Sequence, residues 1–100
     1  MGVLNITEAP RLVMHQGGVG QVLPLHEVTV QAISTSGTSA QSAALQATTR
    51  FVRLAPSTAV HIATGTDPTA SSATTYMPAG TVETFEVKPG ASYKIAVIDA

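Results

Sequence analysis

The sequence predicts an all-β domain, a single antiparallel β-sandwich or small β-barrel of about six to eight strands. Three observations predict it. Thirty of the 100 residues are β-branched (fourteen Thr, eleven Val and five Ile), and such side chains lose rotamer freedom in a helix but pack well on a pleated sheet. Four separate segments alternate apolar and polar residues with period two, as half-buried antiparallel strands do. Eight Gly and six Pro punctuate the chain at short intervals.

Taken in order, residues 1–20 lack periodicity and contain Pro10 and Gly17-Gly18-Val19-Gly20, which reads as an extended N-terminal arm with a glycine loop. Residues 21–100 read as the β-domain. The first strand pattern is Val28-Thr29-Val30-Gln31-Ala32-Ile33, with Val28, Val30 and Ala32 on one face. Ser39 to Ala47 has two readings, a helix on Ala and Gln propensity or a strand running into Thr48-Thr49-Arg50-Phe51-Val52-Arg53-Leu54. The strand is preferred, because the continuation is strongly β and no helix stop intervenes.

Ala59 to Thr64 alternates with Val60 and Ile62 inward and His61 outward. Residues Gly65 to Gly80 are small and polar and read as a long loop, of the kind that is functional or mobile in compact domains. Glu83 to Val87 places Phe85 and Val87 on one face, and Ser92 to Ile98 does the same with Tyr93, Ile95 and Val97. Lys88-Pro89-Gly90-Ala91 suits a type II turn, so these last two strands are expected to form a hairpin. The expected core is Val28, Val30, Val52, Leu54, Val60, Ile62, Phe85, Val87, Tyr93, Ile95 and Val97.

Composition narrows the function classes. Charged residues are 11%, against roughly 25% in an ordinary soluble domain. With five Lys and Arg and a net charge of −1, no basic patch for nucleic acid is expected. There is no Cys, hence no disulfide, thiolate nucleophile or Cys-based zinc site. His15, His26 and His61 lack metal-ligand spacing, so no metal or cofactor is expected. No apolar run is long enough to span a membrane, and Met1 to Ile6 does not read as a signal peptide. Asn5-Ile6-Thr7 fits the glycosylation sequon and is read as a chance match.

Catalytic constellations are not evident either. Gly17-Gly18-Val19-Gly20 lacks the Lys-Ser/Thr of a phosphate loop, and no Gly-x-Ser-x-Gly elbow occurs. Glu83 and Glu86 fall on opposite strand faces, as do Arg50 and Arg53. With no Trp and four aromatic residues, no stacking platform for sugars or bases is expected. A weakly charged β-domain with sheet edges tends to associate, which favours an assembly subunit over an enzyme.

One resemblance adds to this. Thr49 to Leu54, His61-Ile62-Ala63-Thr64-Gly65-Thr66-Asp67-Pro68-Thr69-Ala70, Met77-Pro78-Ala79-Gly80, Glu83 to Val87, Lys88-Pro89-Gly90 and Lys94-Ile95-Ala96-Val97-Ile98 follow one another in an order that resembles small structural proteins of tailed bacteriophages. It covers roughly the C-terminal half of the chain. The resemblance implies a virion component assembled in the host cytoplasm, foremost a capsid decoration or cement subunit bound to the major capsid protein as a homo-oligomer, with a trimer expected. A neck, tail or fibre-associated subunit is the alternative within that class, and a carbohydrate- or receptor-binding module the alternative outside it. The expected partner-binding residues are Leu4, Ile6, Leu12, Val13 and Met14 in the arm, and Tyr76 and Met77 in the long loop. Arm and loop are expected to order only against neighbouring subunits, so that the β-domain folds without the arm.

Overall fold

The computed structural model describes residues 2–11, 13–14, 21–22 and 28–100. The described strands are β1 (Val3–Ala9), β2 (Val13–Met14), β3 (Gln21–Val22), β4 (Thr29–Ser34), β5 (Ala40–Gln41), β6 (Phe51–Pro56), β7 (Val60–Gly65), β8 (Thr75–Met77), β9 (Glu83–Glu86) and β10 (Lys94–Asp99). No helix occurs among the described residues. Two antiparallel four-stranded sheets, ordered β4-β1-β6-β9 and β5-β10-β7-β8, pack together as a small β-sandwich. Among the described residues β2 and β3 pair with each other, Val13 opposite Val22, nested in sequence between the paired strands β1 and β4.

The core lies where the inner faces meet. Leu4, Ile6, Val52, Leu54, Val60, Ile62, Ile95 and Val97 come from the central strands, and Met77 and Leu45 complete the cluster. Phe85, Val87, Tyr93 and Ile33 pack against it half-buried. Each fully buried aliphatic side chain stabilises the fold by about 1.5–3 kcal/mol relative to exposure.

Four sequence expectations are corrected here. Val3–Ala9 is not arm: β1 is an interior strand, paired with β4 on one side and β6 on the other. Its pattern Leu4, Ile6, Glu8 hides an alternation behind one polar inward residue. Glu8 is only 1% exposed, and its carboxylate accepts hydrogen bonds from Gln31 Nε2 (2.8 Å), the Gln46 amide (2.8 Å) and Thr49 Oγ1 (2.9 Å). Those three donors make burial of the carboxylate tolerable, and they fasten β4 and the chain before β6 onto β1.

The same network turns β4 over. Gln31 points inward, where its Oε1 also accepts from the Ala43 amide at 3.0 Å, so Val30 on the opposite face is 62% exposed instead of in the core. A strand presents alternate residues to opposite faces, so one polar anchor decides the fate of all of them.

The expected C-terminal hairpin is an arch. The turn exists, with Gly90 at φ 74°, but Ser92 also takes a left-handed φ of 56°, and the chain crosses from β9 in one sheet to β10 in the other. Alternation specifies which face of a strand is buried, and it leaves open which strand lies alongside. Finally, the Ser39–Thr49 strand shrinks to β5. Beyond it the Ser42 amide donates to the Ile95 carbonyl and the Leu45 amide to the Tyr93 carbonyl, after which the chain leaves β10 and crosses to the first sheet.

Candidate functional site

The outer faces of the two sheets differ. On the second sheet, the segment 66–74 between β7 and β8 is a strap rather than the free loop expected from its composition. Gln41 Nε2 donates to Asp67 Oδ1 at 2.9 Å and to the Pro68 carbonyl at 2.8 Å. The Ala70 amide donates to Ser39 Oγ at 2.9 Å. The strap therefore runs from β7 across to β5, and Ala96, which lies between those strands on β10, is 0% exposed. Its return is held by His61, whose Nδ1 lies 2.9 Å from the Thr74 carbonyl. A carbonyl only accepts, so that nitrogen carries the proton in this contact.

Over its middle rows the outer face of the first sheet carries no such cover from a described segment, whereas at the end of β1 Ala9, opposite Phe51, is 0% exposed. The register places Val30, Thr7, Arg53 and Thr84 in one row across it, and Ala32, Asn5 and Ala55 in the next. Arg53 Nε donates to Thr84 Oγ1 at 3.2 Å, so its charge is partly occupied within the face. The rest is small or uncharged, apart from Glu86 at the β9 edge. Such a surface is flat and cheap to desolvate, which suits contact with another folded surface better than capture of a small polar molecule.

A third feature is an apolar crevice of about 170 Å³ between the sheets at the β8–β9 side, lined by Val52, Leu54, Ile62, Phe85, Val87 and Ile95 among others. Thr64, Thr75 and Glu86 sit at its rim. No nucleophile–base pair lines it, and among the described residues no three of His, Cys, Asp or Glu converge as metal ligands. Glu8, the buried carboxylate, is sealed by its three donors and serves as an anchor. At the junction of the sheets, a hydrogen bond from Thr35 holds the Asp99 carboxyl below its ordinary value, and Thr58 adds to the effect.

The expected partner-binding residues separate sharply. Leu4, Ile6 and Met77 are 0% exposed in the chain's own core and have no surface to offer a partner. Tyr76 is 52% exposed and lies over His61, ring centroids 5.4 Å apart. Val13 and Met14 form β2, but the roles assigned to their side chains, and to Leu12, fall outside the described residues. Sequence reasoning missed the face built on Val30 and Ala32. The sequence carries only a weak signal for it, the opposite alternation Thr29, Gln31 and Ile33 in the same segment. No protein-family model, curated protein or solved structure matches this chain.

Proposed function

We propose that the chain is a non-enzymatic virion structural protein, a capsid decoration subunit that seats on the major capsid protein and stabilises the shell as a homo-oligomer. The observation that carries the reading is the outer face of the first sheet, where Val30, Ala32, Asn5, Ala55 and Thr7 form a small-residue surface with little charge. Binding there removes mostly apolar or weakly polar atoms from water, with Arg53 the charged side chain in the central rows that a partner has to accommodate. The low overall charge supports the same reading, as does the order of segments, which resembles that of small phage structural proteins.

The test is addition of the purified chain to undecorated shells, followed by sedimentation and a density map of the particles. The chain is expected to co-sediment at a fixed ratio to the capsid protein, with the Val30–Ala55 face against the shell. Ala55→Glu, placed in the middle of that face, is expected to abolish loading while leaving the circular dichroism spectrum unchanged. Density at the neck or tail would move the protein to the alternative virion reading, and a chain found on no particle would overturn both.

A further inference from the structure

The four lateral edges of the sandwich are not equally guarded. β5 and β8 are two and three residues long, too short to template another strand. β9 carries Glu83 and Glu86, with Lys88 and Pro89 directly after it. Charge, proline and shortness are the devices by which sheets keep their edges from pairing. β4 has none of them: its six residues, Thr-Val-Gln-Ala-Ile-Ser, are uncharged and free of proline.

The backbone of β4 is also aimed outward. The Thr35 amide donates to the Gly2 carbonyl, and in an antiparallel ladder alternate residues face the partner strand. Thr29, Gln31 and Ile33 therefore bond to β1, while the N–H and C=O groups of Val30, Ala32 and Ser34 point away from the sheet. Among the described residues, β1 is the only strand that pairs with β4.

We infer that this edge pairs with β4 of a second copy, antiparallel across a two-fold axis at Ala32. The sequence is complementary to itself in that register. Ala32 meets Ala32 of the second copy, and Val30 meets its Ser34, each as a hydrogen-bonded pair that exchanges both N–H···O bonds. No like charges face one another, and the small Ala32 side chains at the axis leave the strands free to close. Gln31 and Ile33 keep their inward contacts. The result is one continuous eight-stranded sheet with two-fold symmetry, an isologous contact, in place of the trimer that the phage resemblance implies. This inference stands on the edge geometry and does not depend on the capsid reading.

The experiment uses the full chain. Sedimentation at high micromolar concentration is expected to show a dimer. The chain has no cysteine, so Ala32→Cys introduces a single thiol. Hydrogen-bonded antiparallel pairs hold their Cα atoms about 5.5 Å apart, with Cβ atoms wider apart than a disulfide prefers, so a short thiol-reactive bifunctional linker, which spans that gap, is expected to give a covalent dimer. Ala32→Lys sets two like charges at the axis and is expected to weaken the dimer by roughly a hundredfold. Thr84→Lys, the same charge on the β9 edge of the same sheet, is expected to leave the dimer intact. A wild-type chain that sediments as a monomer overturns the inference, as does a dimer that survives Ala32→Lys. Should Ala32→Lys fail to fold, failure of Ala32→Cys to cross-link overturns it alone.

Discussion

On the outer face of the second sheet, Ala96 is 0% exposed beneath a strap that Gln41 and Ser39 hold in place. On the outer face of the first, Ala32 lies on the edge strand β4 and is open to solvent. Both are alanines in alternating strands of about the same length. Ala96 lies on an interior strand beneath a tethered segment of its own chain, and Ala32 lies on an edge strand. The second sheet closes its face with residues 66–74, and among the described residues no segment does the same over β4. The comparison shows that surface composition alone does not identify a docking face. Small residues occur on both faces, Thr7 and Ala32 on the first and Ala63 and Ala96 on the second, and the tethers of the strap close only one of them.

The comparison presupposes that β1 is an interior strand. Ile6→Ala is expected to cost about 2–5 kcal/mol in a denaturant melt, as for other fully buried isoleucines. A loss well under 1 kcal/mol would return Val3–Ala9 to an arm and remove the first sheet's outer face with it. Glu8→Ala strands the Gln31, Gln46 and Thr49 donors and is expected to cost about 3 kcal/mol. Glu8→Gln, which keeps one acceptor oxygen, should lie between that variant and the wild type.

Ala96→Leu and Ala32→Leu form the direct test of the two faces. The first pushes a larger side chain into a covered site and should cost about 1–3 kcal/mol. The second adds the same atoms to an open face and should stay within about 0.5 kcal/mol. Equal effects would mean that the strap does not cover its sheet.

The smallest effect concerns the junction between the sheets. The Asp99 carboxyl is held below its ordinary value of 3.8, chiefly by a hydrogen bond from Thr35. A group whose folded-state value is depressed adds stability above its unfolded value, and that stability is lost as pH falls through the folded one. Asp99→Asn should therefore be slightly less stable than wild type at neutral pH. In urea melts through the acid range below 3.8 the gap should narrow. A gap that is constant with pH would show that the ionised carboxylate contributes nothing at this junction.

Much of the sandwich was legible in the sequence because its central strands are strongly periodic. Val52 and Leu54, Val60 and Ile62, and Ile95 and Val97 are all buried as their alternation requires. What was not legible depends on partners far away in the chain. β1 was hidden because Glu8 breaks its apolar face, and only donors 23 to 41 residues distant make that position inward. β4 presented two alternations, and the same Glu8 selects the less apolar one. The arch at Gly90 and Ser92 looks like a hairpin in the sequence because a Pro-Gly turn does not encode which sheet the next strand joins. Met77 reads as a partner contact because it is one of the few large apolar residues in a small, polar stretch, and its pairing opposite Val60 follows a strap whose tethers come from residues far away in the chain. Among the expected contact residues, only Tyr76 has an exposed side chain in the described structure.

Hydrogen exchange along β4, resolved residue by residue in dilute free protein, tests the central claim most directly. An edge that the chain itself leaves bare should show alternating protection: slow exchange at Gln31 and Ile33, whose amides bond to β1, and fast exchange at Val30, Ala32 and Ser34. Uniform protection of all five amides that persists on dilution would contradict the account, because it would mean that β4 is covered within its own chain.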